Sequence, residues 1–411
     1  MTEITDAAAT SPGGPAELPL AGLRVLALEH AVAAPLCTRH LADLGADVVK
    51  VENPVGGDLA RGYDSVVNGQ SAYFVWANRG KRSVALDLKS DGGHAALHGL
   101  LERTDVFVHN LGPGAVDRMG FGPGPLAERW PGLINCAISG YGTDGPFRER
   151  KAFDLLIQAE AGLLSVTGQP DEPAKVGISV ADMCAALYAL SSILAAVADR
   201  GRTGQGRFID ISMLECLAEW MMAPAYHELY AGRQPRRAGA RHNMMVPYGV
   251  YRAGGAGEVN FAVQTDKQWR ALCAVLGMPE LADDPRFRTN EARVRNRDEL
   301  EPLIEERLGS RSVTEVTECL IAAGIPTGDV NDLRGLVDHP QLRARSRWAE
   351  ADSESGPVRV LKAPFNLGGP AGARARIPAL GEHTHEVLAE LRRAAGPPGD
   401  GGGHPDAEDG S

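Results

Sequence analysis

The carboxylate of Asp182 stands at a junction. Before it runs a strand-like stretch, Lys175-Val-Gly-Ile-Ser-Val-Ala181, and after it a long apolar run that reads as a helix from Asp182 to Arg200. An aspartate at such a place can be an N-cap that bonds the helix's free N–H groups. It can also be a nucleophile. The positive end of the helix dipole favours the ionised carboxylate, and an ionised carboxylate attacks activated acyl groups. Residue type and spacing leave both readings open.

A second set of residues suits an anion. Asn78-Arg-Gly-Lys81-Arg82-Ser83 is a basic turn just ahead of a strand pattern, and Asn110-Leu111-Gly-Pro-Gly114 follows the end of another. Open α/β sheets bind ligands at such strand ends. Arg118 lies just beyond, and Arg148, Arg150 and Lys151 form a further basic patch. These groups are candidates for anchoring a nucleotide phosphate; each is also a position that a solvated basic surface would explain. The Gly112-Pro-Gly114 turn does not continue as GxGxxG, because Asp117 occupies the third glycine position, so the dinucleotide signature is weak. The sequence contains no GxSxG elbow and no P-loop. His383 and His385, and His94 and His98, lack Cys or carboxylate partners at metal-motif spacing, so no metal is expected. Asp144, Asp154 and Glu160 are acid–base candidates of the kind any surface offers.

Stepping outward to the elements that must hold these groups, 411 residues suit two domains rather than one core. The formal net charge of -11 argues against nucleic acid as a partner, since phosphate backbones need a basic face. Six scattered cysteines without a CxxC pair suit reduced thiols in a cytoplasmic protein. The N-terminus reads as no signal peptide, and Met183–Ala198 reads as a buried core helix rather than a membrane span. Residues 1–18 and 395–411, rich in Gly, Pro, Ser and Asp, read as disordered tails. Between them, apolar runs at Leu23–Leu28, Asp47–Glu52, Ser83–Leu88, Asp105–His109 and Leu133–Ser139 alternate with helix patterns at 35–45 and 92–103. That rhythm predicts an α/β fold with a parallel, doubly wound sheet. Phe153–Ser165 and Met213–Met222 read as helices, with a strand at Gly206–Ser212. A large domain is expected over 19–222 and 334–394, with a smaller α+β domain over 223–333.

Taken together, a set of ordered segments resembles the class III CoA-transferase family, which also contains the α-methylacyl-CoA racemases. The segments are Gly22-Leu-Arg-Val-Leu26, Ala33-Ala-Pro35, Leu41–Glu52, Gly57-Asp58, Asn78–Ser83, Leu86-Asp-Leu88, Gly112-Pro-Gly114, Arg118-Met-Gly120, Ser139-Gly-Tyr-Gly142, Gly145-Pro146, Phe153-Asp154, Gln158-Ala159, Thr167-Gly168, Gly204-Gln-Gly206 and Leu380-Gly-Glu-His-Thr384. Each is modest alone; their joint order over residues 20–390 is specific. The resemblance implies a Rossmann-like large domain, a small domain and an interlocked homodimer. It aligns the family's catalytic aspartate with Asp182. It also implies coenzyme A contacts at the first strand–helix turn around Ala33, where Val32 replaces the Gln of some transferases, and at Lys81, Arg82, Asn110, Leu111, Arg118 and Lys151.

The implied partners are an acyl-CoA and a small carboxylic acid, with no nucleic acid and no membrane. No cofactor is implied beyond coenzyme A as co-substrate. Racemases of the family carry a His directly before an Asp; here that pair is Phe153-Asp154, and a phenyl ring exchanges no proton. The stretches Lys151–Gly168, Glu172–Gly177, Arg237-Ala-Gly239, Val246-Pro-Tyr-Gly249 and Asp284-Pro-Arg-Phe287 look like those of enzymes acting on succinate, itaconate and mesaconate. A dicarboxylate needs a cation for its distal carboxylate, for which Arg237 or Arg241 is the expected source. The competing readings are a non-catalytic CoA-binding protein and a dehydrogenase, the latter disfavoured by the missing glycine pattern.

Overall fold

Six short strands, each rich in Val, Ile, Leu and Ala, form one parallel sheet: β1 (Arg24–Leu28), β2 (Asp47–Glu52), β3 (Arg82–Ala85), β4 (Val106–His109), β5 (Ile134–Ser139) and β6 (Phe208–Ser212). Their order is β3-β2-β1-β4-β5-β6, and every neighbouring pair is parallel. Strands buried on both faces read as continuous apolar runs rather than alternating ones, and β4 and β5 are buried along nearly their whole length. The computed structural model describes residues 18–367 and 375–395. The expected tails therefore lie outside the described residues, except for their innermost positions.

The chain divides into two compact units: residues up to Ala152 with Asp182–Met213 and those from Trp348 onward, and Phe153–Ala181 with Leu214–Arg347. The second unit takes in residues 153–181, 214–222 and 334–347, which the sequence pattern groups with the large domain. In the first unit one core layer joins Leu26, Leu28, Val51 and Phe107 of the sheet to Leu97, Leu101 and Val387 of flanking helices. An antiparallel hairpin, Trp348–Ala351 with Val358–Leu361, packs its apolar side with Ala60, Phe74 and Ile377.

The second unit holds a three-stranded antiparallel sheet, Tyr248–Ala253, Gly257–Ala262 and Thr327–Gly328. The first turn of this sheet places Gly254 and Gly255 at φ 55° and 80°, a left-handed backbone that glycine adopts without steric cost. Trp269, Leu272, Phe287, Leu300 and Ile304 close its core.

Three elements differ locally from expectation. The helix expected over Phe153–Ser165 is two pieces, Asp154–Glu160 and Leu163–Val166, parted by Gly162 at φ 79°. The first helix is Ala33–Asp43, starting two residues before Pro35. The long apolar helix runs from Val180 to Thr203, so Asp182 is its third residue and not its N-cap. By length and composition this helix could cross a membrane, but here it buries Ala181, Cys184, Ala185, Ala186, Ala189 and Ile193 in the protein.

Candidate active site

Parallel strands send all their carboxyl ends to one edge. The strand order reverses between β1 and β4, so the chains leaving these two strands part and open a crevice. Asn110, just after β4, ties that crevice together. Its Oδ1 accepts the His30 N–H at 2.9 Å, and its Nδ2 donates to the His30 carbonyl oxygen at 2.9 Å. His30 follows β1, so Asn110 fixes the first turn; its neighbour Leu111 is half-buried at the same edge.

The turn itself is strained. Ala31 has φ 63°, a left-handed conformation that a residue with a Cβ disfavours. Asp58 holds it there, its Oδ1 accepting the N–H groups of Ala31 and Ala60, both at 2.9 Å. Beneath the turn lies a buried ionic network. Lys50 Nζ donates to Asp58 Oδ2 at 2.6 Å and to Glu29 Oε1 at 3.3 Å, and Lys81 Nζ donates to Glu29 Oε1 at 2.6 Å. Beside it, Glu52 accepts both Arg61 Nε and Nη2 at 2.8 Å, the Ser83 hydroxyl at 2.6 Å and the Asp58 N–H at 2.9 Å. Buried charges persist only when paired and hydrogen-bonded, and here two ammoniums face two carboxylates. Burial alone would raise the Glu29 carboxyl, but Lys81 and Lys50 outweigh it and hold it below its usual range. Burial pushes Lys81 down to about 8, with Glu29 acting against it, which still leaves the ammonium protonated near neutrality.

The first helix begins at Ala33 directly after this turn, with no side-chain cap and no acidic residue in its first turn. Such a helix end suits an anion. Ala33 itself is buried.

Asp182 reaches the same edge by helix direction. Arg200, near the far end of the Val180–Thr203 helix, pairs with Asp105 at 3.1 Å and donates to the carbonyl oxygens of Asp105 and Gly132, which precede β4 and β5. Eighteen residues of helix, about 27 Å at 1.5 Å each, carry Asp182 to the carboxyl edge. Its side chain is half-exposed there. Tyr63 senses the convergence: burial first, then the charges of Asp58 and Asp182, raise its phenol above the ordinary range.

The other expected site residues are placed differently. Lys81 is fully buried, and besides Glu29 it donates to the Pro35 carbonyl oxygen and Asn78 Oδ1, both at 2.9 Å. Arg82 sits at the opposite, amino edge of the sheet, paired with Asp47 and Glu390. Arg118 is exposed on the short helix Ala115–Arg118, with Nη1 3.3 Å from the Pro113 carbonyl oxygen. Lys151 is exposed in the segment after β5. In the second unit, Arg237 donates to the carbonyl oxygens of Gln169 and Pro170 at 2.9 and 2.7 Å. Arg241 pairs with Glu301 at 2.6 Å and with Glu305, and lies 4.4 Å over the Tyr251 ring. Its guanidinium is thus already neutralised by two carboxylates.

Sequence reasoning passed over Glu29, Lys50, Asp58 and Tyr63 as functional residues. The available signal was Lys50 and Glu52 set among the valines of the strand Asp47–Glu52, where buried charges need partners elsewhere.

With this geometry in place, the comparisons with known proteins agree with one another. A family model described as CoA-transferase family III matches residues 20–384. The chain is 35% identical over 390 residues to the succinate–glutarate CoA-transferase of Agrobacterium fabrum, covering 91% of this chain and 96% of that protein. It is 35% identical over 384 residues to the succinyl-CoA:mesaconate CoA-transferase of Haloarcula marismortui, covering 90% and 95%. A solved structure of a CaiB/BaiF family protein from Brucella suis matches with a TM-score of 0.79 at 35% identity, covering 92% of this chain and 100% of that one.

Proposed function

Because the chain belongs to CoA-transferase family III, we propose that it moves coenzyme A from succinyl-CoA to a C4–C5 dicarboxylate, with Asp182 as the covalent nucleophile. The observation that carries this reading is the position of Asp182: a carboxylate in the first turn of a long helix, at the carboxyl edge of the sheet. The names of the relatives acting on succinate, glutarate and mesaconate support the substrate class.

In the proposed reaction the Asp182 carboxylate attacks the donor thioester carbonyl and expels coenzyme A thiolate, leaving an aspartyl anhydride. The thiolate then attacks the aspartyl carbonyl, forming an aspartyl-CoA thioester and releasing the donor acid. The acceptor carboxylate attacks that thioester, expelling the thiolate again and forming a second anhydride. The thiolate takes the new acyl group and frees Asp182. Every intermediate keeps one activated acyl bond, so the exchange needs no separate energy source. The uncapped helix start at Ala33, which the strained turn at Ala31 leads into, supplies N–H groups suited to the coenzyme's phosphates, with Leu111, Arg118 and Lys151 as further contacts. Asn110 acts by fixing the turn. Phe153 carries no exchangeable proton, which weighs against a racemase.

The same reading makes the protein a homodimer in a reducing, cytoplasmic setting. In support, no residue of the Met222–Ala231 helix is buried, and it exposes Tyr226, Leu229 and Tyr230. None of the six cysteines, all of them among the described residues, forms a disulfide.

The test is to incubate the protein with succinyl-CoA and a panel of acids that includes glutarate, mesaconate, itaconate, oxalate and acetate, and to follow new thioesters by mass spectrometry. Preferential transfer to a C4–C5 dicarboxylate, lost in Asp182→Ala, supports the proposal. Preference for oxalate or acetate overturns the substrate class, and exchange that survives in Asp182→Ala overturns the nucleophile.

A further inference from the structure

The segment that delivers Asp182 is irregular: residues 176–179 belong to neither helix nor strand. Such a stretch takes its path from the groups that bind its backbone. One face of the Asp154–Glu160 helix provides them. Asp154 and Gln158 are four residues apart, hence on one side of that helix, and Gln158 Nε2 donates to Asp154 Oδ2 at 2.7 Å. Gln158 is fully buried. Its Oε1 accepts the Val176 N–H at 3.0 Å, and its Nε2 lies 3.4 Å from the Ile178 carbonyl oxygen. Asp154 Oδ1 accepts the N–H of Ala181 at 2.8 Å. Ala181 is fully buried, lies in the first turn of the long helix, and is the residue immediately before Asp182. First-turn N–H groups have no partner within their own helix, so Asp154 fills that role from outside.

The polarity of this arrangement permits only one orientation. A carboxylate only accepts, so the Gln158 amide must turn its NH2 to Asp154. Its carbonyl oxygen then faces Val176, where an N–H awaits it. We infer that Asp154 and Gln158 form a clamp that positions Asp182, acting on the backbone at 176–181 and taking no direct part in the chemistry. The inference rests on the reading of Asp182 as nucleophile. An error of about 1 Å in a reacting group costs on the order of 100-fold in rate, which sets the size of effect expected from loosening the clamp.

The experiment moves the negative charge from one end of the clamp to the other. Asp154→Asn alone sets an NH2 against the Gln158 NH2. Gln158→Glu alone sets one carboxylate against another. In the double variant the amide at 154 still accepts from Ala181 and donates to the carboxylate at 158, which still accepts from Val176. Each single variant is expected to lower kcat by about 100-fold, to slow single-turnover formation of the Asp182 thioester equally, and to leave KM for the acyl-CoA nearly unchanged. The double variant is expected to recover kcat to within about 10-fold of wild type. A folded double variant as slow as the singles overturns the clamp and makes the Asp154 carboxylate a chemical participant. The double variant keeps the bonds to Ala181, to Val176 and between the two side chains, and loses only the long one to Ile178; a double that fails to fold where both singles fold therefore overturns the clamp too, and folding of the double where a single fails supports it. Asp182→Asn in the same assay separates the two readings. If wild type forms no thioester on Asp182, the nucleophile is wrong; if it does and the double variant is not rescued, only the clamp is.

Discussion

Asp58 accepts the backbone N–H of Ala31, 27 positions earlier in the chain, at 2.9 Å, and thereby holds an alanine at φ 63° at the start of the turn proposed to meet coenzyme A. A surface feature, the shape of a turn, is thus set by a buried charge. Asp58 is 1% exposed and owes its ionisation to Lys50 beneath it.

The pH dependence of this arrangement has a definite sign. Burial would raise the Asp58 carboxyl, but the charge and hydrogen bond of Lys50 and the N–H groups of Ala60 and Ala31 hold it below its ordinary 3.8. A carboxyl with a native pKa below its unfolded one adds stability that is complete above the unfolded value and lost as the pH falls through the native one. Asp58→Asn is therefore expected to lower stability by about 3–5 kcal/mol near neutrality. The gap to wild type should close as the pH falls below about 4. Melting curves at stepped pH read this directly, and a gap that does not change with pH would contradict it.

Lys81 and Arg118 separate structure from binding. Lys81→Met removes one of two cations from the buried Glu29 and is expected to cost about 3–5 kcal/mol. Arg118→Ala, at an exposed position, is expected to change stability by less than about 0.5 kcal/mol while raising KM for the acyl-CoA. Thermal melts beside steady-state kinetics test the pair. A Lys81→Met protein that melts like wild type but binds acyl-CoA poorly would reverse the assignment.

Arg241 offers the corresponding test in the second unit. With Glu301 and Glu305 already on its guanidinium, Arg241→Ala is expected to cost on the order of 2 kcal/mol in stability and to change KM for dicarboxylate and monocarboxylate acceptors by the same factor. A rise confined to dicarboxylates would restore Arg241 as the substrate's cation.

These contrasts mark where sequence stops being informative. The strands were legible because β1, β2, β4 and β5 are short apolar runs separated by helix signals, and the parallel arrangement followed from that alternation. Asp182 was legible as a carboxylate at a helix start, although its helix begins two residues earlier than the apolar pattern indicates; residue type alone left cap and nucleophile open. The fate of Lys81 was not legible: a lysine in a basic turn looks like a phosphate ligand until Glu29, 52 positions away, is seen beneath it. The place of Arg82 was hidden for the same reason, since the edge of the sheet it occupies depends on register against β2. The clamp at Gln158 was hidden because its partners at Val176 and Ile178 are backbone groups, which leave no trace in residue type.

The central claim, that Asp182 carries coenzyme A covalently, is tested most directly by trapping. The protein is mixed with succinyl-CoA without an acceptor, quenched in acid within one turnover, digested and analysed by mass spectrometry. The account predicts that the peptide bearing Asp182 gains the mass of one coenzyme A less one water, and that hydroxylamine removes it. A peptide that stays unmodified while the same sample still exchanges coenzyme A once an acceptor is added would contradict the account.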